Sequence, residues 1–341
     1  MRHAGLATRS LALAALSAMT GCHLYFGDGR GDENDGGDWV PDADVLDGWP
    51  PVDAPPFIDA PDVDGGMPFP RPTAPMRAHA LVNGAWVDQG LADWSCVNTP
   101  TSDLPSTGPI QLSGRVTDFP GTTGVPAASI IAYAPSTSAV VGNTTSSSAG
   151  ATRGSYTMTL GMLPSTSRRY TFAITAQNFP GTYLLEQYIA PAATAMRDLP
   201  SVSTATLNAL TAYVGLARNP ANAMALGTIY DCQGRSVSNA VVIASRSRST
   251  TDLVAGARSF YYTASATSVP ARSDQVPFSN VDGKFMVIDV PPISAGFSVQ
   301  VLGFRTQAEL DANTIRLVSQ VWAPANGGTV SIAPYEPRRS N

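Results

Sequence analysis

Lysine is almost missing from this chain: Lys284 is the single example, and every other base is arginine. Histidine occurs only as His3, His23 and His79, and cysteine only as Cys22, Cys96 and Cys232. A Ser-His-Asp hydrolase needs a histidine base, and His79 alone lies beyond the first forty residues. The chain has no Gly-x-Ser-x-Gly elbow, no His-Glu-x-x-His pair and no phosphate-cradling glycine loop. Glu186, Glu309 and Glu336 are isolated and suggest surface positions, so the paired carboxylates of a glycosidase are not written here. Cys96 and Cys232 lack the neighbours that a metal site requires. These gaps argue against an enzyme and leave no cofactor or metal to expect.

Charge is also sparse, at 14% of residues, and the net value of −5 hides a division. Twelve acids between Asp28 and Asp64 face only Arg30, whereas from Met67 onward 14 acids stand against 18 bases. The basic excess of the body is small and scattered, which gives no reason to expect nucleic acid. What the chain does hold is 30 glycines, 28 prolines and abundant Ser and Thr, without long helix-forming runs. That composition suits short strands joined by turns.

The one apolar run near the start, Leu11–Met19, follows Arg2, His3 and Arg9. It has the size of a secretory signal and is too short to span a bilayer. The stretch after it, Gly21–Trp39, reads GCHLYFGDGRGDENDGGDW. An EF-hand loop fails here on spacing: counted from Asp28 the third position is Arg30, and counted from Asp32 the fifth is Gly36. Arg30-Gly31-Asp32 is a three-letter match inside a low-complexity run, and chance explains it.

Met19-Thr20-Gly21-Cys22 resembles the lipobox of bacterial lipoproteins. The resemblance implies removal of residues 1–21 and acylation of Cys22, with membrane lipid as its partner. The alternative is an ordinary cleavable signal followed by an incidental cysteine. Each buried CH₂ contributes about 0.8 kcal/mol, so two or three acyl chains anchor stably where one does not. His23, rather than aspartate, follows the cysteine, which points to the outer membrane of the cell envelope, facing the periplasm or the exterior. Residues 22–75 alternate Pro, Asp and Gly without helical or strand period and are expected to form a disordered spacer. A fully flexible chain of this length would average about 40 Å end to end, and proline and like charge extend it further.

Beyond residue 76 the chain repeats itself. LSGRVTD (Leu112–Asp118) and GVPAASIIAY (Gly124–Tyr133) parallel ALGTIYDCQG (Ala225–Gly234) and SVSNAVVIAS (Ser236–Ser245). GSYTMTL (Gly154–Leu160) parallels GKFMVID (Gly283–Asp289), and YTFAITAQNF (Tyr170–Phe179) parallels FSVQVLGF (Phe297–Phe304). Gly114 matches Gly227, Val116 matches Ile229, and Ile130 matches Val242. Apolar residues alternate within these segments, as at Tyr156, Met158 and Leu160, so the copies read as antiparallel strands between Gly, Pro, Ser and Asn turns.

The repeated line resembles the carboxypeptidase regulatory-like domain, over most of residues 110–190 and 224–322. The first copy departs from that family's pattern at Gly124, where proline is favoured, and at Ala127, where glycine is favoured. The resemblance implies an all-β chain of two tandem seven-stranded, transthyretin-like antiparallel sandwiches. The first would occupy 76–220 with its lead-in strands and the second 221–338. It implies no reaction, since such domains support or bind.

Cys96 and Cys232 are the thiols left after lipidation, and an oxidising compartment favours a bond between them. Two buried free cysteines are the alternative. Two surface features offer ligand contacts: Arg246 and Arg248 in SRSRS, read as one strand face, and Tyr261 and Tyr262 in SFYYT with Trp322 as aromatic platforms. A solvated face or a core strand is the plain account of both. The sequence therefore points to a non-enzymatic structural or interaction module in the envelope. The alternative is a carbohydrate- or peptide-binding module assisting a secreted hydrolase or an outer-membrane transport complex, with envelope proteins or polysaccharide as partners.

Overall fold

Short alternating segments between turn residues form nineteen strands in the computed structural model, which describes residues 69–337 apart from 136, 166 and 265–267. The signal, Cys22 and the spacer up to residue 68 lie outside the described residues. Two lead-in strands, β1 (Arg77–Val82) and β2 (Ala85–Leu91), come first. The first copy holds β3 (Ile110–Asp118), β4 (Ser129–Ala134), β5 (Ala139–Thr145), β6 (Ser155–Leu160), β7 (Tyr170–Ala176) and β8 (Phe179–Gln187). After these come β9 (Thr194–Met196), β10 (Leu199–Ser201) and helix α1 (Thr204–Tyr213). The second copy starts with β11 (Ala223–Ile229), β12 (Ser236–Ser238), β13 (Val241–Ser245), β14 (Arg258–Tyr262) and β15 (Pro270–Ala271). It finishes with β16 (Lys284–Val290), β17 (Ile293–Gly303), helix α2 (Gln307–Asp311), β18 (Arg316–Ala325) and β19 (Val330–Tyr335). The chain is mostly β, as its composition implied. Helix α1, which the sequence reading did not anticipate, is capped by Ser203 and sinks Leu207 and Leu210 into a core.

The internal repeat is reproduced at the level of strand register. Gly114 on β3 faces Tyr156 on β6, and the matching Gly227 on β11 faces Phe285 on β16. Ile130 on β4 faces Ile174 on β7, and the matching Val242 on β13 faces Val301 on β17. Gly154 and Gly283 explain one conserved corner. Both adopt left-handed φ values, +76° and +66°. A Cβ on Gly154 would lie 2.7 Å from the Val116 carbonyl oxygen and 2.9 Å from the Val125 nitrogen. One on Gly283 would meet the equivalent atoms of Ile229 and Val237 at 2.7 and 3.1 Å. The same corner explains why glycine suits the place of Ala127: its φ is +47°, and the matching Asn239 has +63°. A left-handed alanine costs roughly 1–2 kcal/mol, which asparagine offsets better.

The sheets do not divide between the copies as two self-contained sandwiches. A nine-stranded sheet runs β15-β14-β16-β11-β19-β8-β7-β4-β5 and takes four strands from the first copy and five from the second. The seam is a parallel pairing of β8 with β19, where Thr182, Tyr183 and Leu184 face Val330, Ser331 and Ile332. On one face lies a layer of β3, β6, β9 and β10 with α1, enclosing Leu112, Tyr156, Met158 and Leu160 against Phe172, Leu226, Met286 and Ile332. On the other lies the three-stranded sheet β13-β17-β18, with Val242, Phe297, Val299 and Val321 against Phe285, Val287 and Tyr335. Strand β8 would otherwise present a row of unpaired backbone groups, and pairing it with β19 removes that edge.

The lead-in strands, expected with the first copy, attach to the second. Strand β1 pairs with β12 from Arg77 to His79, and the Met76 N–H donates to the Phe304 carbonyl. Cys96 and Cys232 form a disulfide with Cα atoms 5.7 Å apart across 136 residues of sequence. The Cys232 N–H donates to the Asp93 carbonyl, and the Asp93 N–H donates to the buried Asp231 carboxylate. His79 is buried, with Nε2 2.8 Å from Ser238 Oγ.

Closing a loop of this length stabilises the fold by about 4–5 kcal/mol on the chain-entropy model. Cys96→Ser with Cys232→Ser should lower the urea midpoint accordingly; an unchanged midpoint would refute that contribution. Burial holds the His79 imidazole below its ordinary pKa; Asp88 opposes this in part and Arg77 adds to it. The folded state therefore keeps neutral histidine, and the unfolded chain takes up the proton first as pH falls through about 6.5. Stability should drop across that window and level off below the folded pKa. His79→Gln should flatten the difference between urea midpoints at about pH 7.5 and about pH 5; equal slopes in both proteins would exclude the effect.

Candidate functional site

Alternation along three neighbouring strands builds the site. In the sheet β13-β17-β18 the inward residues fill the core, and the outward ones align in rows across the strands. Val241, Leu302 and Leu317 form the first row, Ile243, Gln300 and Gln320 the second, and Ser245, Ser298 and Trp322 the third. The first row is sealed by Phe304, Leu310 and Ile315, with Phe69, Leu253 and Phe278 packed beside them. The second and third rows are covered by the loop that leaves β13.

That loop is held by side chains reaching back to the backbone. Ser245 Oγ donates to the Thr250 carbonyl and accepts from the N–H groups of Ser247 and Asp252. Ser247 Oγ accepts from the N–H groups of Ser249 and Thr250. Gln300 Nε2 donates from the sheet to the carbonyls of Ser247 and Thr250, at 3.0 and 3.2 Å. The strap so formed places the Arg248 guanidinium over the Trp322 ring, 4.4 Å from its centroid. Trp322 is half-buried beside Gly296, where a Cβ would lie 2.7 Å from the indole nitrogen.

Beneath this pair three polar atoms are buried without a hydrogen-bond partner: Ser298 Oγ, Gln300 Oε1 and Gln320 Oε1. Ser298 and Gln300 are each 1% exposed. Because Gln300 Nε2 already donates twice, its orientation is fixed and its free atom is an acceptor. A buried acceptor left unmet costs about 1–3 kcal/mol, so three together call for an explanation.

The residues named from sequence separate on this frame. Arg248 and Trp322, taken as parts of two unrelated features, form one stacked pair. Arg246 and Arg248 do not share a strand face, because β13 ends at Ser245 and both lie in the loop; Arg246 is exposed. Tyr261 and Tyr262 are not surface platforms. They are adjacent on β14 and point to opposite faces of a sheet covered on both sides, so each enters a different core. Tyr261 Oη accepts the Val242 N–H, and burial pushes both phenols well above the usual tyrosine pKa. Ser298, Gln300 and Gln320 were missed; the polar i, i+2 spacing of Ser298 and Gln300 within an apolar strand was the available signal.

Other chemistry-bearing groups serve the scaffold. Lys284 is buried with Asp282: Nζ lies 3.7 Å from Oδ2 and donates to Ser268 Oγ, which donates to the same carboxylate. Burial raises the Asp282 pKa, against the opposing pull of Ser268 and Lys284. Arg169 bridges Asp103 at 2.7 Å and Glu336 at 2.6 Å and so links the first copy to the end of the second. Glu309, read as isolated, accepts from Arg305 and Arg316. Among the described residues no group of three or more His, Cys, Asp or Glu side chains is placed to hold a metal ion. No helix among them is long and apolar enough to cross a membrane.

Arg248→Ala should uncover the Trp322 ring at a stability cost of about 0.5–1 kcal/mol. The check is acrylamide quenching of the tryptophan signal that Trp322→Phe removes: it should rise in the Arg248→Ala background, and unaltered quenching would dismiss the stacked pair.

No family model matches the chain, and no curated protein sequence matches it. Among solved structures it is similar to a shaft pilin SpaA mutant from Lactobacillus rhamnosus GG, at 10% identity and a TM-score of 0.17. That alignment covers 68% of this chain and 99% of the pilin. It is also similar to the full-length major pilin RrgB from Streptococcus pneumoniae, at 7% identity and a TM-score of 0.20, over 71% of this chain and 49% of that one. At such TM-scores no role passes from either pilin to this chain.

Proposed function

We propose that this chain is a lipid-anchored, non-enzymatic module of the bacterial cell envelope, acting structurally or as a platform for interaction. Acylated Cys22 holds it to the outer membrane, and the residues after it space the body away from the lipid as far as residue 68, since Phe69 and Arg71, expected in the spacer, pack on the second copy at Leu310 and Phe304. Within this reading the two copies are regulatory-like units fused through the shared sheet, and the lead-in strands β1 and β2, expected with the first unit (76–220), are carried by the second (221–338). The observation that carries the proposal is that fusion. Two cores closed on opposite faces of one sheet, cross-linked by Cys96–Cys232, make a stiff body suited to bearing or presenting rather than to opening around a substrate. Its reactive side chains are spent on structure: His79 bonds Ser238, and Lys284 sits with Asp282 and Ser268.

A second reading, a carbohydrate- or peptide-binding module serving a hydrolase or a transport complex, is favoured by one observation. That observation is the Arg248–Trp322 pair over unmet polar atoms. Both readings take envelope proteins or polysaccharide as partners and exclude nucleic acid.

Membrane fractionation in a Gram-negative host tests the anchor. The wild-type chain should sediment with membranes and show an acylated amino-terminal Cys22 by mass spectrometry, while Cys22→Ala should lose both properties. Wild-type protein found soluble with an unmodified terminus would overturn the proposal.

A further inference from the structure

The polar rows covered by the β13 loop have a chemistry narrow enough to name a ligand class. Gln300 and Gln320 face each other across β17 and β18, and directly opposed side chains start about 4.5–5.5 Å apart at Cβ. Each offers a buried carboxamide oxygen with no donor, and Ser298 in the next row adds an unmet hydroxyl. The partner must therefore donate hydrogen bonds from groups set close together. A fully deprotonated anion cannot satisfy the two carboxamide oxygens, because it brings no N–H or O–H to them. A cation would share the site with the Arg248 guanidinium and be repelled by it.

An extended peptide is recognised chiefly through backbone groups along a free strand edge. Here the unmet atoms belong to side chains on the face of a sheet, and along β13 the backbone is occupied by Val254, whose N–H donates to the Ala244 carbonyl. Neighbouring hydroxyls on a sugar ring fit the requirement: they donate in pairs, carry no charge, and leave an apolar C–H face to lie against an aromatic ring. Trp322 supplies that ring in the same row as Ser298.

We propose that Ser298, Gln300, Gln320 and Trp322 form a subsite for a neutral saccharide, closed by the 246–252 loop with Arg248 resting on the indole. Of the three polar residues Gln300 alone bonds the loop, which Ser245 and the Val254 N–H also tie to β13. A ligand therefore has to take over the two Gln300 contacts while the loop stays hinged on β13. The inference rests on the binding-module reading and is independent of the lipid anchor.

The test is calorimetry on the detergent-solubilised full chain with cellotetraose, chitotetraose, maltotetraose and, as a peptide control, tetra-alanine. At least one tetrasaccharide should bind saturably at one site per chain and alter tryptophan emission; the emission change should vanish in Trp322→Phe. Gln320→Leu, which leaves the loop contacts intact, should weaken binding about tenfold, the loss of one hydrogen bond to a buried acceptor. Absence of saturable binding by every sugar at about 10 mM, with Gln320→Leu as stable as the wild type or more so, would mean that ordered water is the sole occupant and overturn both the subsite and the binding-module reading. Tetra-alanine bound in place of the sugars would overturn the saccharide assignment and leave the binding-module reading standing.

Discussion

Backbone groups at the edge of a sheet have to be paired or covered, and the parallel pairing of β8 with β19 is where this chain meets that demand between its two copies. In a pair of separate sandwiches, each copy would keep two open sheets and four edges. Joining β8 to β19 merges the sheet β8-β7-β4-β5 with the sheet β19-β11-β16-β14-β15 and turns two domains' worth of strands into one central layer. Both cores then depend on that seam. Leu184 and Ile332 face each other across it within one core, while Tyr183 and Ala333 belong to the other. The ion pairs of Arg169 with Asp103 and Glu336 close the same junction from outside the strands.

The path of the chain follows from this layout. Among the described residues it begins on the second copy, where β1 pairs with β12 and the Cys96–Cys232 bond fixes the turn after β11, then builds the first copy and returns. Residues 76–99 thus act as a strap from the start of the body to its far half. A force or fluctuation entering from the amino-terminal side meets the second copy before the first. The long loop between the bonded cysteines contains the whole first copy, so separating the copies at the β8–β19 seam leaves the strap and the disulfide in place.

Much of this was legible in the sequence. The repeat was visible, and its matched glycines fall where a Cβ has no room: Gly154 and Gly283 at the corner, Gly114 and Gly227 within β3 and β11. The Cys96–Cys232 bond matches the pairing expected from sequence, an expectation that rested on Cys22 being spent on lipid. What the repeat could not disclose was whether its copies stand apart, because one copy's pattern says nothing about what its edge strands meet. A trace of the answer was nevertheless present. FMVIDV on β16 and VVIAS on β13 are nearly continuous apolar runs instead of alternating ones, and such runs mark strands buried on both faces. Read that way, the adjacent Tyr261 and Tyr262 could not both be surface platforms. The ion pairs of Arg169 were out of reach, since its partners lie 66 and 167 residues away.

The site shows the same logic at smaller scale. A three-stranded sheet packed on a core by one face must still cover its other face, and the chain does so unequally. The rows nearest α2 are sealed by Phe304, Leu310 and Ile315, as any core would be. The rows at the opposite end are roofed by a loop of serines whose bonds run mostly to its own backbone, with Arg248 laid on Trp322. If coverage were the only requirement, leucine at position 320 would extend the apolar seal and remove one unmet acceptor, whereas Gln300 also holds the loop through two donated bonds. The unmet Gln320 oxygen retains a burial cost, and the proposed subsite gives that cost a physical reason, because its ligand donates hydrogen bonds.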